Sequence, residues 1–352
     1  MIHYISFNDF HEFLKSLEND YAVFAPVKKG NQLFYKKYRD VSGDIVVGEV
    51  RTFEPLKSFF FRAREVIARD FSPAVPGPDK RPLCIVGVKA CDLKGFKIQD
   101  EVFSPQKKEN SPEEIILDPF YVKQRRQNLI ISADCTYSLE TCFCLSLGLK
   151  PYPQENFDLN ISEVKDGFVV ETGSEKGQNI INKYVSFFKN ATEEKIAARD
   201  EKRKSVVNQV EKNIKQNNIP THDSFYNVIK KNYDSRIWFD EAETCVECGA
   251  CNTVCPTCHC FLLYDQKNEA AMARLRVWDS CMIKDYARVA GGANPRHRLW
   301  MRLRNRFEKK FDFFPKIADT YACTGCGRCI LACPAKIDIR KVLGKLVNDA
   351  RK

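Results

Sequence analysis

The chain has 352 residues, of which 44% are apolar and 29% charged, with a formal net charge of +10 and sixteen cysteines. This length exceeds what one hydrophobic core usually organises, so two or three packed units are expected, and the apolar fraction predicts globular packing rather than disorder. No apolar run is long enough to cross a bilayer and no leader pattern opens the chain, so a soluble, cytoplasmic protein is expected, whose thiols serve metals rather than disulfides.

In chain order, NDFHEFLKSLEND (8–20) places Phe10, Phe13, Leu14 and Leu17 on one helical face behind Asn8 as a cap. YAVFAPV, QLFYKKY and DIVVGEVRTF then read as extended, broken at Gly30 and Gly43, and predict a small antiparallel sheet. PLCIVGVKACD and NLIISADC are buried strands, each running into a cysteine, Cys91 and Cys135. DLKGFKIQDEVF and DPFYVKQRRQN between them have helical spacing, with Asp92 and Asp118 available as caps. DLNISEVKDGFVVETGS predicts a hairpin turning at Asp166-Gly167. From Ala191 to Tyr233 the sequence becomes charged and helical, with a turn at Asn218 to Thr221. This connector reads equally as a helix packed on one side or as a docking surface.

The only internal repeat is a cysteine motif. CVECGACNTVCP (245–256) is echoed by CTGCGRCILACP (323–334), both following C-x2-C-x2-C-x3-C-P. That spacing wraps three thiolates around one iron–sulfur cube and sends the fourth to a neighbouring cube. Cys245, Cys248, Cys251 and Cys333 are therefore expected to hold one [4Fe–4S] cluster, and Cys323, Cys326, Cys329 and Cys255 the other. Gly249 and Gly327 occupy the same place in each copy, where a missing side chain would let backbone N–H groups approach sulfide. Zinc would want two paired hooks, and a third cysteine three residues on is poor spacing for a tetrahedral ion. The residues between the motifs read as helical, so an α-helical ferredoxin-like arrangement is expected. RHRLWMRLRNRFEKKF (296–311) within them reads as a packed helix with a solvated basic face, or as a docking surface or counter-charge for the clusters.

Four cysteines remain in the amino-terminal half: Cys91 and Cys135 past their strands, and Cys142 and Cys144 in TCFC. Loops leaving neighbouring parallel strands converge, so these four predict a third [4Fe–4S] cluster, the alternative being ordinary buried thiols. Cys84, inside its strand, is a small core residue. Cys258, Cys260 and Cys281 are one thiolate short of a closed cube. They are read as reduced thiols shielding the adjacent cluster, or as a site completed by a ligand such as His259. An oxidised cube with four thiolates carries about −2, so three would bring the chain from +10 to about +4.

With these residues assembled, the chain resembles the beta (iron–sulfur) subunits of cytoplasmic sulfhydrogenases and the A subunits of anaerobic sulfite reductases. The likeness runs through APVK, FFFRARE, GVKACDLKGFKIQDEVF, DPFYVKQRR, TCFC, CNTVCPTCHCF, VWDSC, AGGANPRHRLWMRLRNRF and CTGCGRCILACPAKIDI. It lapses in the connector and around Ala74 to Lys80 and Pro105 to Glu114. The resemblance implies a relay in a hetero-oligomer, between a flavin-containing NAD(P)H-linked subunit and a catalytic hydrogenase, sulfite reductase or related reductase subunit. It also strengthens the third cluster at Cys91, Cys135, Cys142 and Cys144.

The expected fold is α+β: an N-terminal mixed α/β domain (1–190), a helical connector (191–238) and a C-terminal α-helical ferredoxin-like dicluster domain (239–352). The expected function is electron transfer without a catalytic residue, since no phosphate loop, dinucleotide turn or hydrolase elbow is present. Two other readings stand beside it: a reductase with an open iron at Cys258, Cys260 and Cys281, and a redox sensor binding nucleic acid through residues 296–306. No nucleic-acid or transmembrane role is expected.

Overall fold

The computed structural model describes residues 2–41, 43–77, 81–106, 116–221, 225, 227–267 and 272–350. Residues 78–80 and 107–114, within two stretches where the resemblance lapses, lie outside the described residues. Twelve strands form among the described residues: β1 (Ile2–Ser6), β2 (Ala22–Lys29), β3 (Gln32–Lys37), β4 (Arg64–Arg69), β5 (Ser72–Pro73), β6 (Leu83–Val88), β7 (Leu129–Ala133), β8 (Leu159–Val164), β9 (Gly167–Thr172), β10 (Lys189–Asn190), β11 (Phe261–Lys267) and β12 (Met272–Trp278).

Eight of them make one sheet in the order β10-β1-β9-β8-β7-β6-β2-β3. Its centre, β2-β6-β7-β8, is parallel, and antiparallel strands flank it on both sides. The apolar runs LCIVGV and LIISA sit at that centre because both faces are covered. Cys84, Val86, Leu129 and Ile131 pack on one face against Phe10, Phe13, Leu14 and Leu17 of α1 (Phe7–Leu17). Ile85, Val88 and Ile130 pack on the other against Phe96 and Phe103 of α2 (Ala90–Phe103) and Tyr121 of α3 (Pro119–Gln127). Cys84 is thus a core residue of the sheet.

Local details depart from the sequence reading. Ser6, not Asn8, caps α1, its hydroxyl accepting from the Asp9 N–H at 3.1 Å. Asp118 caps α3, accepting from Phe120 and Tyr121 at 3.0 Å. Asp92 instead lies inside the first turn of α2, where its carboxylate accepts from the Leu56 N–H at 3.2 Å and pairs with Arg328. The hairpin β8–β9 turns at Lys165–Asp166, since Val164 pairs with Gly167. Residues 44–53 form no third strand of a small sheet. They touch the β2–β3 edge through one bridge, Val27 to Ile45, because Val47, Val50 and Arg51 are drawn into the interior instead.

The remaining strands form an antiparallel sheet, β11-β12-β4-β5. The segment between the cysteine motifs, read as helical, therefore carries a hairpin whose inner strand pairs with β4 from the amino-terminal half. Its signal was present in the alternation R-L-R-V, which has period two. Helix α4 (Glu175–Lys183) precedes β10, the last strand of the large sheet in the chain, and α5 (Glu193–Gln216) follows it. The carboxy-terminal half packs Trp238, Leu303, Phe307, Phe311, Leu343 and Leu346 into a helical core. There the helix Leu299–Glu308 widens into a π turn, Lys309–Phe313. Among the described residues no helix is long and apolar enough to cross a membrane.

Candidate iron–sulfur centres

The two copies of the motif share one backbone course. Gly249 (φ +73°) and Gly327 (φ +71°) are left-handed and each opens a one-turn helix, Ala250–Thr253 and Arg328–Leu331. Two residues upstream, Glu247 (φ 56°) and Gly325 (φ 63°) are left-handed as well. Glu247 carries a side chain in that conformation, and Arg302 holds it through a 2.6 Å bond to the carboxylate.

Cys245, Cys248 and Cys251 from the first copy and Cys333 from the second line a single cavity, together with Cys329, Arg306, Leu303 and Met282. The Ile337 N–H reaches the Cys333 sulfur at 3.4 Å. Cys255 leaves its own copy and lies among the electrostatic neighbours of Cys323 and Cys329. The first cavity gathers the four cysteines that the crossed reading assigns to one cluster, together with Cys329 of the other set, and Cys255 lies near Cys323 and Cys329.

In the amino-terminal half, Cys91 and Cys135 stand past the carboxyl ends of the adjacent parallel strands β6 and β7. They line a second cavity with Cys142, Cys144, Val50, Arg51, Val210 of α5, and Gly325 and Cys326 of the second motif. The TCFC loop is held there from both sides. The Phe143 N–H donates to the Gly325 carbonyl at 2.9 Å, and Asn213 of α5 donates to the Leu139 carbonyl at 2.8 Å. A Cβ on Gly325 would lie 2.6 Å from the Cys144 backbone, and one on Gly327 would collide with Thr141. Gly325 and Gly327 thus make room for protein neighbours; of the two, only Gly327 was read, with Gly249, as making room for sulfide.

Buried cations thread these cysteines, and the sequence reading missed most of them. Arg302, Arg304 and Arg306 are buried, so within 296–311 the arginines of the helix Leu299–Glu308 face inward, while Arg298 just before it is exposed. The signal was the run of basic residues itself, which local spacing cannot distinguish as inward or outward. Burial opposes the charge on Arg306, but the surrounding Cys251, Cys329, Cys255 and Cys281 sulfurs more than reverse this and raise its pKa. Lys310 is fully buried and donates to the Cys255 sulfur at 3.2 Å, the Thr257 hydroxyl at 3.1 Å and the Ala322 carbonyl at 2.9 Å. Burial would raise the Cys255 thiol, yet with Lys310 beside it the group is lowered to about 7. Burial pushes Cys251 and Cys323 up to about 12 and Cys135 up to about 11. Arg328 pairs with Asp92 at 2.7 Å, both side chains inaccessible to solvent, and lies close to Cys326 and Cys91. Lys89, also buried, bonds the Val47 and Asp134 carbonyls at 2.7 and 2.9 Å beside Cys91 and Cys135.

The residues fit clusters better than single ions. Among the described residues, no three Cys, His, Asp or Glu side chains are close enough to share one metal ion, whereas five cysteines line each of two cavities. A tetrahedral zinc needs its sulfurs drawn in around one point. Buried N–H groups on Arg306, Arg328 and Arg51 also lack any acceptor among the described residues, and sulfide is an acceptor of the right kind.

Cys258, Cys260 and Cys281 form a separate group. Asn252 donates to the Cys281 sulfur at 3.1 Å, and the Lys309 ammonium reaches the Cys260 sulfur at 3.6 Å. His259 does not join them. Its Nδ1 meets the Thr257 carbonyl at 3.1 Å, its ring packs on Phe314, and burial lowers its pKa to about 4.

Residues 244–337 match the family described as a 4Fe-4S dicluster domain, which is a domain for two [4Fe–4S] clusters. Over 341 residues, 96% of each chain, the sequence is 31% identical to sulfhydrogenase 2 subunit beta of Pyrococcus furiosus. The cavities lie where that domain is matched and where the amino-terminal cysteines converge on it. The chain belongs to the family of iron–sulfur beta subunits of sulfhydrogenases, with an iron–sulfur electron-transfer role.

Proposed function

We propose that this chain carries electrons singly along three [4Fe–4S] clusters in series, between a flavin-containing NAD(P)H-linked subunit and a catalytic hydrogenase or reductase subunit of a cytoplasmic hetero-oligomer. Cys245, Cys248, Cys251 and Cys333 hold one cluster, Cys323, Cys326, Cys329 and Cys255 the next, and Cys91, Cys135, Cys142 and Cys144 the third. When bound, the clusters supply reversible one-electron chemistry.

The observation that carries the reading is the position of the middle set. Cys329 opens into the first cavity and Cys326 into the amino-terminal one, so the second motif faces both neighbours. The protein's own residues do the rest. Arg306 lies between the first and middle sets and Arg328 between the middle and amino-terminal sets, each offsetting charge that reduction adds. Phe143, Leu303 and Met282 are buried and exclude water. The division into residues 1–190, 191–238 and 239–352 follows the same logic: a sheet supplies one set of thiols, α5 walls it, and the dicluster region supplies two.

Gentle anaerobic purification tests this directly. The native assembly is expected to retain a flavoprotein and about twelve iron atoms per chain, and Cys142→Ser to hold about eight. Zinc in place of iron, or an iron count untouched by Cys142→Ser, would overturn the three-cluster relay.

A further inference from the structure

Residues 44–53 pass the β2–β3 edge with a single bridge, and a cavity of about 240 Å³ lies beside them. Its walls come from three parts of the chain: the β2–β3 hairpin, residues 49–53, and the one-turn helix Arg328–Leu331 of the second motif. The volume falls short of a drug-sized site and suits a small molecule. Leu33, Val50 and the half-buried Phe53 give it an apolar lining, and the buried Arg51 and Arg328 give it charge. Lys28, Asn31 and Gln32 are exposed and form its rim. No cysteine lines it, although Val50, Arg51 and Tyr137 also border the amino-terminal thiol cavity.

The charges around this cavity do not balance. Lys28 pairs with Glu49 at 3.2 Å, and Glu49 also accepts from the Tyr137 hydroxyl at 3.0 Å. Arg328 pairs with Asp92 at 2.7 Å and donates to the Thr52 carbonyl at 2.8 Å. Arg51 has no carboxylate partner among the described residues, and its one hydrogen bond there is a long one, 3.4 Å, to the Thr141 hydroxyl. A buried guanidinium in that state is unfavourable without a counter-charge. Two N–H groups of these arginines, Arg51 Nε and Arg328 Nη1, also lack an acceptor among the described residues. Sulfur in the amino-terminal thiol cavity could serve Arg51, but Arg328 lines neither thiol cavity. An anion in this third cavity answers to both.

We propose that this cavity binds a small organic monocarboxylate, its charged end at Arg51 and Arg328 and its apolar body against Leu33, Val50 and Phe53. Guanidinium groups match the planar pair of oxygens of a carboxylate, and each bond between them is charge-assisted. A single negative charge fits the balance, because Lys28 and Arg328 already have partners and Glu49 repels a second charge. The apolar lining favours an organic body over an inorganic anion, whose hydration such walls do not replace. The binding goes beyond the relay: it needs no cluster and moves no electron.

The test is equilibrium dialysis of the native complex against radiolabelled benzoate, under anaerobic conditions and at low ionic strength. Benzamide has the shape of benzoate without its charge, and nitrate has the charge without the ring; each should bind more weakly than benzoate by about tenfold or more. Arg51→Gln should weaken benzoate by about tenfold, the scale of charge-assisted bonds to a buried cation. Because Arg51 also borders the thiol cavity, the exposed rim supplies a second and independent reading. Gln32→Glu should weaken benzoate by about threefold and Gln32→Lys strengthen it by a like factor, both at unaltered iron content. Benzoate held no better than benzamide, nitrate held as well as benzoate, or an affinity that neither Gln32 change moves would overturn the proposal. Iron content and a retained flavoprotein test the relay, so either reading can fail while the other stands.

Discussion

Replacing Lys310 with methionine removes a buried positive charge at 3.2 Å from the Cys255 sulfur while keeping an unbranched stem of similar volume. Two unit charges at that distance, with an effective dielectric of about 20, interact by about 5 kcal/mol. An added electron spreads over the cube rather than residing on one sulfur, so roughly double the distance and about 2.5 kcal/mol is the fitting scale. For a one-electron couple this amounts to a fall of ~100 mV, because reduction adds negative charge that the ammonium no longer offsets. Redox titration followed by electron paramagnetic resonance should show one centre moving by that amount and the others by much less. Lys310→Arg should restore most of the potential. A centre that keeps its potential in Lys310→Met at full iron content would refute the argument that buried cations tune this relay.

Three further outcomes are expected. Cys333→Ser should alter the resonance of the centre built on the first motif, 82 positions of sequence away from Cys251, and an unchanged signal would refute crossed ligation. Asp92→Asn and Arg328→Met should each destabilise the protein by about 3–5 kcal/mol in denaturant unfolding, and the double change by less than their sum, since a lone buried charge costs more than an absent pair. Gly325→Ala should lower the thermal midpoint by several degrees, because it meets both a left-handed backbone and the Cys144 main chain; Gly291→Ala, with nothing within 4 Å of its Cβ position, should be near neutral.

The placement of charge explains much of the composition. Part of the basic charge lies inside the protein: Lys57, Lys89, Lys310, Arg302, Arg304, Arg306 and Arg328 are all buried. Several of these face sulfur or main-chain carbonyls that would otherwise be unpaired. Burying so many cations is unfavourable unless anionic centres lie among them. Of the arginines in 296–306, Arg302, Arg304 and Arg306 are buried, Arg296 is half-buried and Arg298 is exposed.

Some of this protein was legible in its sequence because the constraint is local. Four thiols at fixed intervals around a cube dictate C-x2-C-x2-C-x3-C-P, and the apolar runs LCIVGV and LIISA dictate strands covered on both faces, whatever lies elsewhere in the chain. Tertiary structure alone decided the long-range relations: Arg328 against Asp92, 236 positions apart, the TCFC loop seated on Gly325, and β12 paired to β4. It also turned Arg302, Arg304 and Arg306 inward. Local spacing records which faces of an element differ, but not which face meets a partner hundreds of residues away, and that choice is made by packing and by the charge the interior must balance.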